Sequence, residues 1–212
     1  MLKLIAILTM LIDHVGMVLF PQYPLLRIIG RLSFVLFAYQ LTIGYIHTSN
    51  LKKYATRLLA FAIISQPIYM LLVPYQLNIF FTLLLGILGM LIWDKGKFPV
   101  WAKAILCLAV CAVGWGLSVS YGAYGVALPI LFYVFKDKKI YAMIGQFVAT
   151  LLYCVVGKEN VLQVYSVMAL YLIYGWDLTS KLKIHINRYV FYWFYPVHLG
   201  LIYLTKIFVV KA

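Results

Sequence analysis

Acidic residues are nearly missing from this chain: Asp and Glu number 5 in 212 residues, against 18 Lys and Arg. Charge of either sign is scarce too, at 11%, less than half the ~25% usual in soluble domains. A soluble globular domain and a charged disordered tail are excluded on that ground. The 3 cysteines are too few for a secreted disulfide scaffold. Cys107, Cys111 and Cys154 each lie inside an apolar run, which reads as packing. No two histidines stand four apart and the cysteines are scattered, so no metal site is expected. Phosphate-binding loops and dinucleotide fingerprints are lacking. So is an internal repeat, which leaves the logic of inverted-repeat transporters without support.

What the chain has is apolar surface. Hydrophobic residues make up 66%, against ~45–50% in soluble domains, and mean hydropathy is +0.99. A spanning helix needs about 20 mostly apolar residues. Eight to ten would use nearly the whole chain, so the expected fold class is all-α: a polytopic transmembrane helical bundle forming a single integral membrane domain over residues 1–212. Charges, Pro and Gly divide it into nine apolar runs: Leu4 to Phe20, Ile28 to Ile46, Tyr54 to Val73, Leu77 to Trp93, Val100 to Val119, Tyr121 to Phe135, Ile140 to Val156, Val161 to Trp176 and Tyr189 to Val210. Pro67, Pro129 and Pro196 fall inside runs, and Pro67 reads as a kink. The first run resembles a signal peptide, but Asp13 and His14 interrupt it and no small-x-small cleavage site follows before Pro21; it reads as a spanning helix.

In a soluble protein a net charge of +13 would suggest nucleic acid. Here the cations sit in short loops and set orientation. With nine spans, Arg27, Arg31, Lys158, Lys206 and Lys211 fall on one side and the other 13 of the 18 on the opposite side. This places the N-terminus inside and the C-terminus outside.

Ionisable residues inside an apolar run are costly and are functional candidates by default. Asp13 and His14 lie mid-run, roughly 15 Å from Lys3 at ~1.5 Å per residue, near the bilayer midplane. His198 lies at similar depth in the last run, ten residues after Arg188. Asp13 is either a structural partner for Arg27 or Arg31 or part of a site. His14 and His198 are either packed neutral histidines or catalytic. Asp13 and His14 project ~100° apart, so a bond between them is awkward and His14 should find its partner on another helix. Lys3 stands eleven residues before His14, about three turns, on nearly the same face; it is a snorkelling lysine or the cation at the mouth of a groove. Arg27 and Arg31, four apart, share one face; they anchor at the interface or bind a carboxylate, a phosphate or Asp13. In HTSNLKKYATR, Thr48, Ser49 and Asn50 suit a helix N-cap. Lys52, Lys53 and Arg57, with Arg188, crowd the inner face, as topology alone demands or as holders of cofactor phosphates. Tyr195 and His198 are three apart and can meet. Asn78 and Thr82, four apart, suit interhelical hydrogen bonding, and Asn78 is also a candidate substrate contact.

The stretches LTMLIDHVGMVLF, RIIGRLSFVLFAY, TSNLKKYATRLLAFAIISQP, NIFFTLLLG and FYWFYPVHL, spread in order over most of the chain, resemble the TraX family of bacterial membrane proteins. The family's name-giving member acetylates the N-terminus of conjugative pilin. A wider similarity reaches the acyltransferase-3 and heparan glucosaminide acetyltransferase group; in members of the former a first-helix basic residue precedes a histidine as Lys3 precedes His14. The resemblance implies acetyl-CoA bound from the cytosol as co-substrate. It also implies an acceptor at the outer face (pilin, peptide, glycan or lipid) and a multi-pass protein of the bacterial cytoplasmic membrane. On that reading His14 is a general base, with Asp13 and His198 beside it. Lys3, Lys53, Arg57 and Arg188 hold the cofactor, and Arg27, Arg31, Tyr195 and Asn78 contact substrate. Two other classes stand against it: a proton-coupled transporter or flippase using Asp13 and His14 as a relay, and a non-catalytic pilus or envelope accessory protein.

Overall fold

The computed structural model describes residues 1–156, 161–175 and 187–209. Among the described residues the chain is helical, with one isolated parallel bridge between Leu77 and Val119 in place of any strand. The helices are α1 (Leu2–Val18), α2 (Pro24–His47), α3 (Leu51–Leu72), α4 (Ile79–Lys95), α5 (Val100–Gly116), α6 (Gly122–Val134), α7 (Lys139–Val156) and α8 (Arg188–Val209). Between α7 and α8 the Val161–Met168 stretch is a 3-10 helix and Tyr171–Gly175 is one π turn. An α-helix was expected there.

By length and composition α2, α3 and α7 are long and apolar enough to cross a membrane; α5, α6 and Val161–Gly175 are apolar but shorter. A helix of 17 residues such as α1 or α5 reaches about 26 Å at ~1.5 Å per residue, against ~30 Å of hydrocarbon.

Helix ends follow local chemistry. Pro24 opens α2 (Pro24–His47), where its missing N–H and fixed φ suit the first turn. Asn50 caps α3, its Oδ1 accepting from the Lys53 amide at 2.8 Å. Asn78 caps α4, its Oδ1 accepting from the Phe80 amide at 3.0 Å. Both caps satisfy a first-turn amide.

The chain divides into two compact units, Met1–Phe37 with Thr150–Ala212, and Ala38–Ala149. In the first, α1, the start of α2, the 161–175 segment and α8 come together. Phe37 and Phe191 pack with ring centroids 5.1 Å apart. Two glycines let α1 and α2 approach closely, as small residues do between membrane helices: a Cβ on Gly16 would meet Leu26 Cβ at 2.6 Å, and one on Gly30 would overlap Asp13.

In the second unit, Cys107, Val110, Cys111, Val119, Val126 and Ile130 form an apolar core. Cys107 and Cys111 are buried free thiols; Cys154, outside this unit, is only partly buried. Thr42 donates to the carbonyl of Pro129 at 3.1 Å, and Gly86 and Gly89 admit Pro129 and Ile130. At one end the α3–α4 and α5–α6 connections are bonded together. Leu77 N–H donates to the Ser118 carbonyl at 3.1 Å and Ser120 N–H to the Leu77 carbonyl at 2.9 Å. Tyr69 donates to Gln76 Oε1 at 2.6 Å and meets Ser120 Oγ at 2.9 Å.

Candidate active site

The first unit brings an acid and an imidazole of α1 to different neighbours, as their ~100° divergence requires. Asp13, 6% exposed, turns to α2. Its Oδ1 and Oδ2 lie 2.7 and 2.8 Å from Arg31 Nη2, and Oδ2 lies 2.9 Å from Arg27 Nη1. Arg27 Nη1 also donates to the Asp13 carbonyl at 3.0 Å. Arg31 donates through Nε to the Arg27 carbonyl at 3.3 Å and through Nη1 to Gln163 Oε1 at 3.4 Å. A carboxylate taken out of water is stabilised only when charge and hydrogen bonds replace its hydration. The two guanidinium groups do so here, on the close approach that Gly30 permits.

His14 turns to α8. Its Nδ1 lies 2.8 Å from His198 Nε2, with ring centroids 5.0 Å apart. His198 Nδ1 lies 2.6 Å from the Phe194 carbonyl oxygen, one turn back on its own helix. The Phe194 ring stacks on His198 at 4.8 Å, holding it in that orientation. Tyr195 stands edge-on to both imidazoles, 6.1 Å from His14 and 5.7 Å from His198.

These contacts assign the protons of the neutral pair. A carbonyl oxygen only accepts, so His198 Nδ1 carries the hydrogen. Its Nε2 is then the lone pair, and His14 Nδ1 must donate to it. That leaves the lone pair of His14 on Nε2, the ring's far side, where none of the described residues bonds it. A base whose tautomer is set by a second residue, itself set by a backbone carbonyl, is an arrangement that can accept a proton at one stated atom.

Lys3, at the start of α1, is exposed. The side chain of Arg188, which opens α8, lies outside the described residues. Lys53, Arg57 and Asn78 belong to the second unit. Asn78 is bonded there: besides capping α4, its Nδ2 donates to the Ala62 carbonyl at 2.7 Å and to Gln66 Oε1 at 2.9 Å. These bonds serve the α3–α4 packing, and Oδ1 keeps a second lone pair. Two participants escaped the sequence: Gln163, a lone glutamine in the apolar VLQVYSVM, and Gly30, whose role depends on which helix faces it. Among the described residues no three metal-ligating side chains gather.

The profile of the TraX protein family matches residues 1–206. A probable fimbrial assembly protein, FimC of serogroup H1, from Dichelobacter nodosus is 27% identical over 98% of this chain and 95% of its own length. An uncharacterized protein, RP591, of Rickettsia prowazekii (strain Madrid E) is 27% identical over 70% of this chain and 60% of its own length. No solved structure matches the chain.

Proposed function

The chain belongs to the TraX family, and from that premise we propose an integral membrane acyltransferase of the bacterial cytoplasmic membrane. It moves an acyl group, acetyl in the first instance, from cytosolic acyl-CoA to an amine or hydroxyl at the outer side. The N-terminus lies inside and the C-terminus outside, and the nine helical segments cross the bilayer. The observation that carries this reading is the chain of contacts from His14 to His198 to the Phe194 carbonyl, which leaves His14 Nε2 as an available base on α1.

His14 Nε2 takes the proton of the acceptor amine or hydroxyl as that atom attacks the thioester carbonyl. The new bond makes a tetrahedral oxyanion. Its collapse breaks the carbon–sulfur bond, and the His14 imidazolium returns the proton to the departing sulfur, giving acylated acceptor and free thiol. His198 shares the transient positive charge through the Nδ1–Nε2 hydrogen bond. Arg27 and Arg31, with Asp13 holding them, supply positive potential for a developing oxyanion or an acceptor carboxylate, and Tyr195 walls the imidazoles. Lys3, on the face of His14 at the inner end of α1, attracts the donor's phosphates. Pilin is the acceptor that the fimbrial name of the Dichelobacter relative favours; a peptide, glycan or lipid fits the same chemistry.

That name also favours a second reading, an accessory role in pilus assembly with no chemistry, in which Asp13, Arg27 and Arg31 only knit helices. Membranes supplied with labelled acetyl-CoA separate the two. His14→Ala at equal protein level is expected to abolish label transfer to the envelope. Transfer unchanged by His14→Ala would end the acyltransferase reading, and pilus assembly that survives His14→Ala without any transfer to lose would favour the accessory one.

A further inference from the structure

The second unit contains a cationic recess that takes no part in the proton transfer at His14. It has a volume of about 400 Å³ and is lined by Asn50, Lys52, Lys53, Thr56, Arg57 and Ala60. Three of these six residues are cationic and none is acidic. Lys52 and Lys53 are exposed, whereas Arg57 is half-buried, and its Nε is buried with no hydrogen-bond partner. A buried donor left unmade costs ~1–3 kcal/mol, more on a charged group. Arg57 is also held in place: its Cζ lies 5.8 Å over the Tyr54 ring, and the Tyr54 hydroxyl sits 2.8 Å from where a Cβ on Gly44 would stand. The guanidinium is therefore a positioned fork with a free edge. At the same end of α3, the Leu51 and Lys52 amides precede the first intrahelical bond, that of Tyr54 N–H to the Asn50 carbonyl at 3.1 Å. The helix dipole adds positive potential there. Thr56 uses its hydroxyl hydrogen on the Lys52 carbonyl at 2.8 Å, and the Lys53 amide is taken by Asn50 Oδ1, so the Lys52, Lys53 and Arg57 side chains and the Leu51 and Lys52 amides are the donors available.

We propose that this recess binds a phosphoryl group, with Arg57 as its anchoring donor and Lys53 and Lys52 as screening cations. An oxyanion is the ligand that all of these donors, with no acceptor among the charges, select. Two sources share that chemistry: the nucleotide end of an acyl-CoA, and the headgroup of an anionic lipid. The nucleotide form rests on the acyl-transfer reading; the lipid form does not.

Purified full-length protein in detergent separates them. Adenosine 3′,5′-bisphosphate is titrated calorimetrically at low and high salt, and retention of phosphatidylglycerol over phosphatidylcholine is read by native mass spectrometry. Binding of the bisphosphate that weakens at least tenfold in Arg57→Ala and several-fold in Arg57→Lys, which keeps the charge but loses the fork, supports a nucleotide source. Selective retention of phosphatidylglycerol, lost in the same variants, without bisphosphate binding supports a lipid source. Lys53→Ala, on an exposed side chain, guards against misfolding and is expected to weaken either ligand less than Arg57→Ala does. Absence of both ligands from the parent protein, or binding that none of the three variants diminishes, overturns the proposal. Loss of transfer in His14→Ala with bisphosphate binding intact would show that the two sites fail separately.

Discussion

Gly30→Ala tests whether the α1–α2 contact at Asp13 is as close as described. The new methyl carbon would stand 2.6 Å from Asp13 Cα and overlap its side chain, where carbon atoms prefer ~3.5–4.0 Å. Relief requires α1 to withdraw by about 1 Å, an amount set by that shortfall. Asp13 then leaves hydrogen-bond range of Arg31 and Arg27, now at 2.7 and 2.9 Å. Overpacking costs ~1–3 kcal/mol, and a broken buried ion pair up to ~3–5 kcal/mol. The better helix propensity of alanine returns ~1 kcal/mol. With both costs in full the net loss is about 3–7 kcal/mol, which at ~2–4 °C per kcal/mol for a chain of this size lowers Tm by at least about 6 °C. Gly200→Ala on α8 is the matched control, because nothing lies within 4 Å of its Cβ position; it is expected to raise Tm by a few degrees, on the order of 1 kcal/mol. Both are read by thermal unfolding of detergent-solubilised protein, followed by size-exclusion fluorescence. A Gly30→Ala protein as stable as Gly200→Ala would refute the close approach.

Five further substitutions have stated outcomes. Loss of the base in His14→Ala lowers acyl transfer by ~10²–10⁴; His198→Ala lowers it less, and His198→Gln, which keeps an acceptor for His14 Nδ1, recovers part of the loss in the same assay. Asn78→Ala removes a cap and two further hydrogen bonds, a loss of about 1–3 kcal/mol visible as a lower Tm with transfer per folded molecule unchanged. Asp94, just past the apolar run ending at Trp93, is held below its ordinary value of 3.8, chiefly by the Tyr133 hydrogen bond and then by Lys95, which together outweigh burial. Its stabilising effect is therefore complete above the ordinary carboxylate value and lost as pH falls through the lower folded value. Asp94→Asn should flatten that acid limb of a Tm-against-pH curve.

The helices were legible because apolar length and punctuation are local properties; their ends were less so. Pro24 begins α2 four residues before the expected Ile28, and Leu51, behind the Asn50 cap, begins α3 where the run was expected to start at Tyr54. In both places polar or cationic residues of a first turn masked a helix already under way. The α5 helix stops at Gly116, short of Val119, because Ser118 and Tyr121 adopt positive φ in the connection bonded to Leu77. Hydropathy does not register that change. The 3-10 and π windings of 161–175 are equally silent, since a run of apolar residues fits either with the same composition. At the site, spacing put Asp13 and His14 on different faces and offered Arg31 and another helix as their partners. The Gln163 contact and the fit of Gly30 against Asp13 depend on which helices adjoin, and no pattern in one sequence encodes that.

The chain has 4 histidines, so uniformly 15N-histidine-labelled protein in lipid nanodiscs gives a readable imidazole spectrum, assigned with His14→Gln and His198→Gln. At neutral pH both rings should be neutral, each with a protonated Nδ1 and a bare Nε2, and a coupling should cross from His14 Nδ1 to His198 Nε2. A hydrogen found on His14 Nε2, or no coupling between the two rings, would contradict the base on which the proposed chemistry depends.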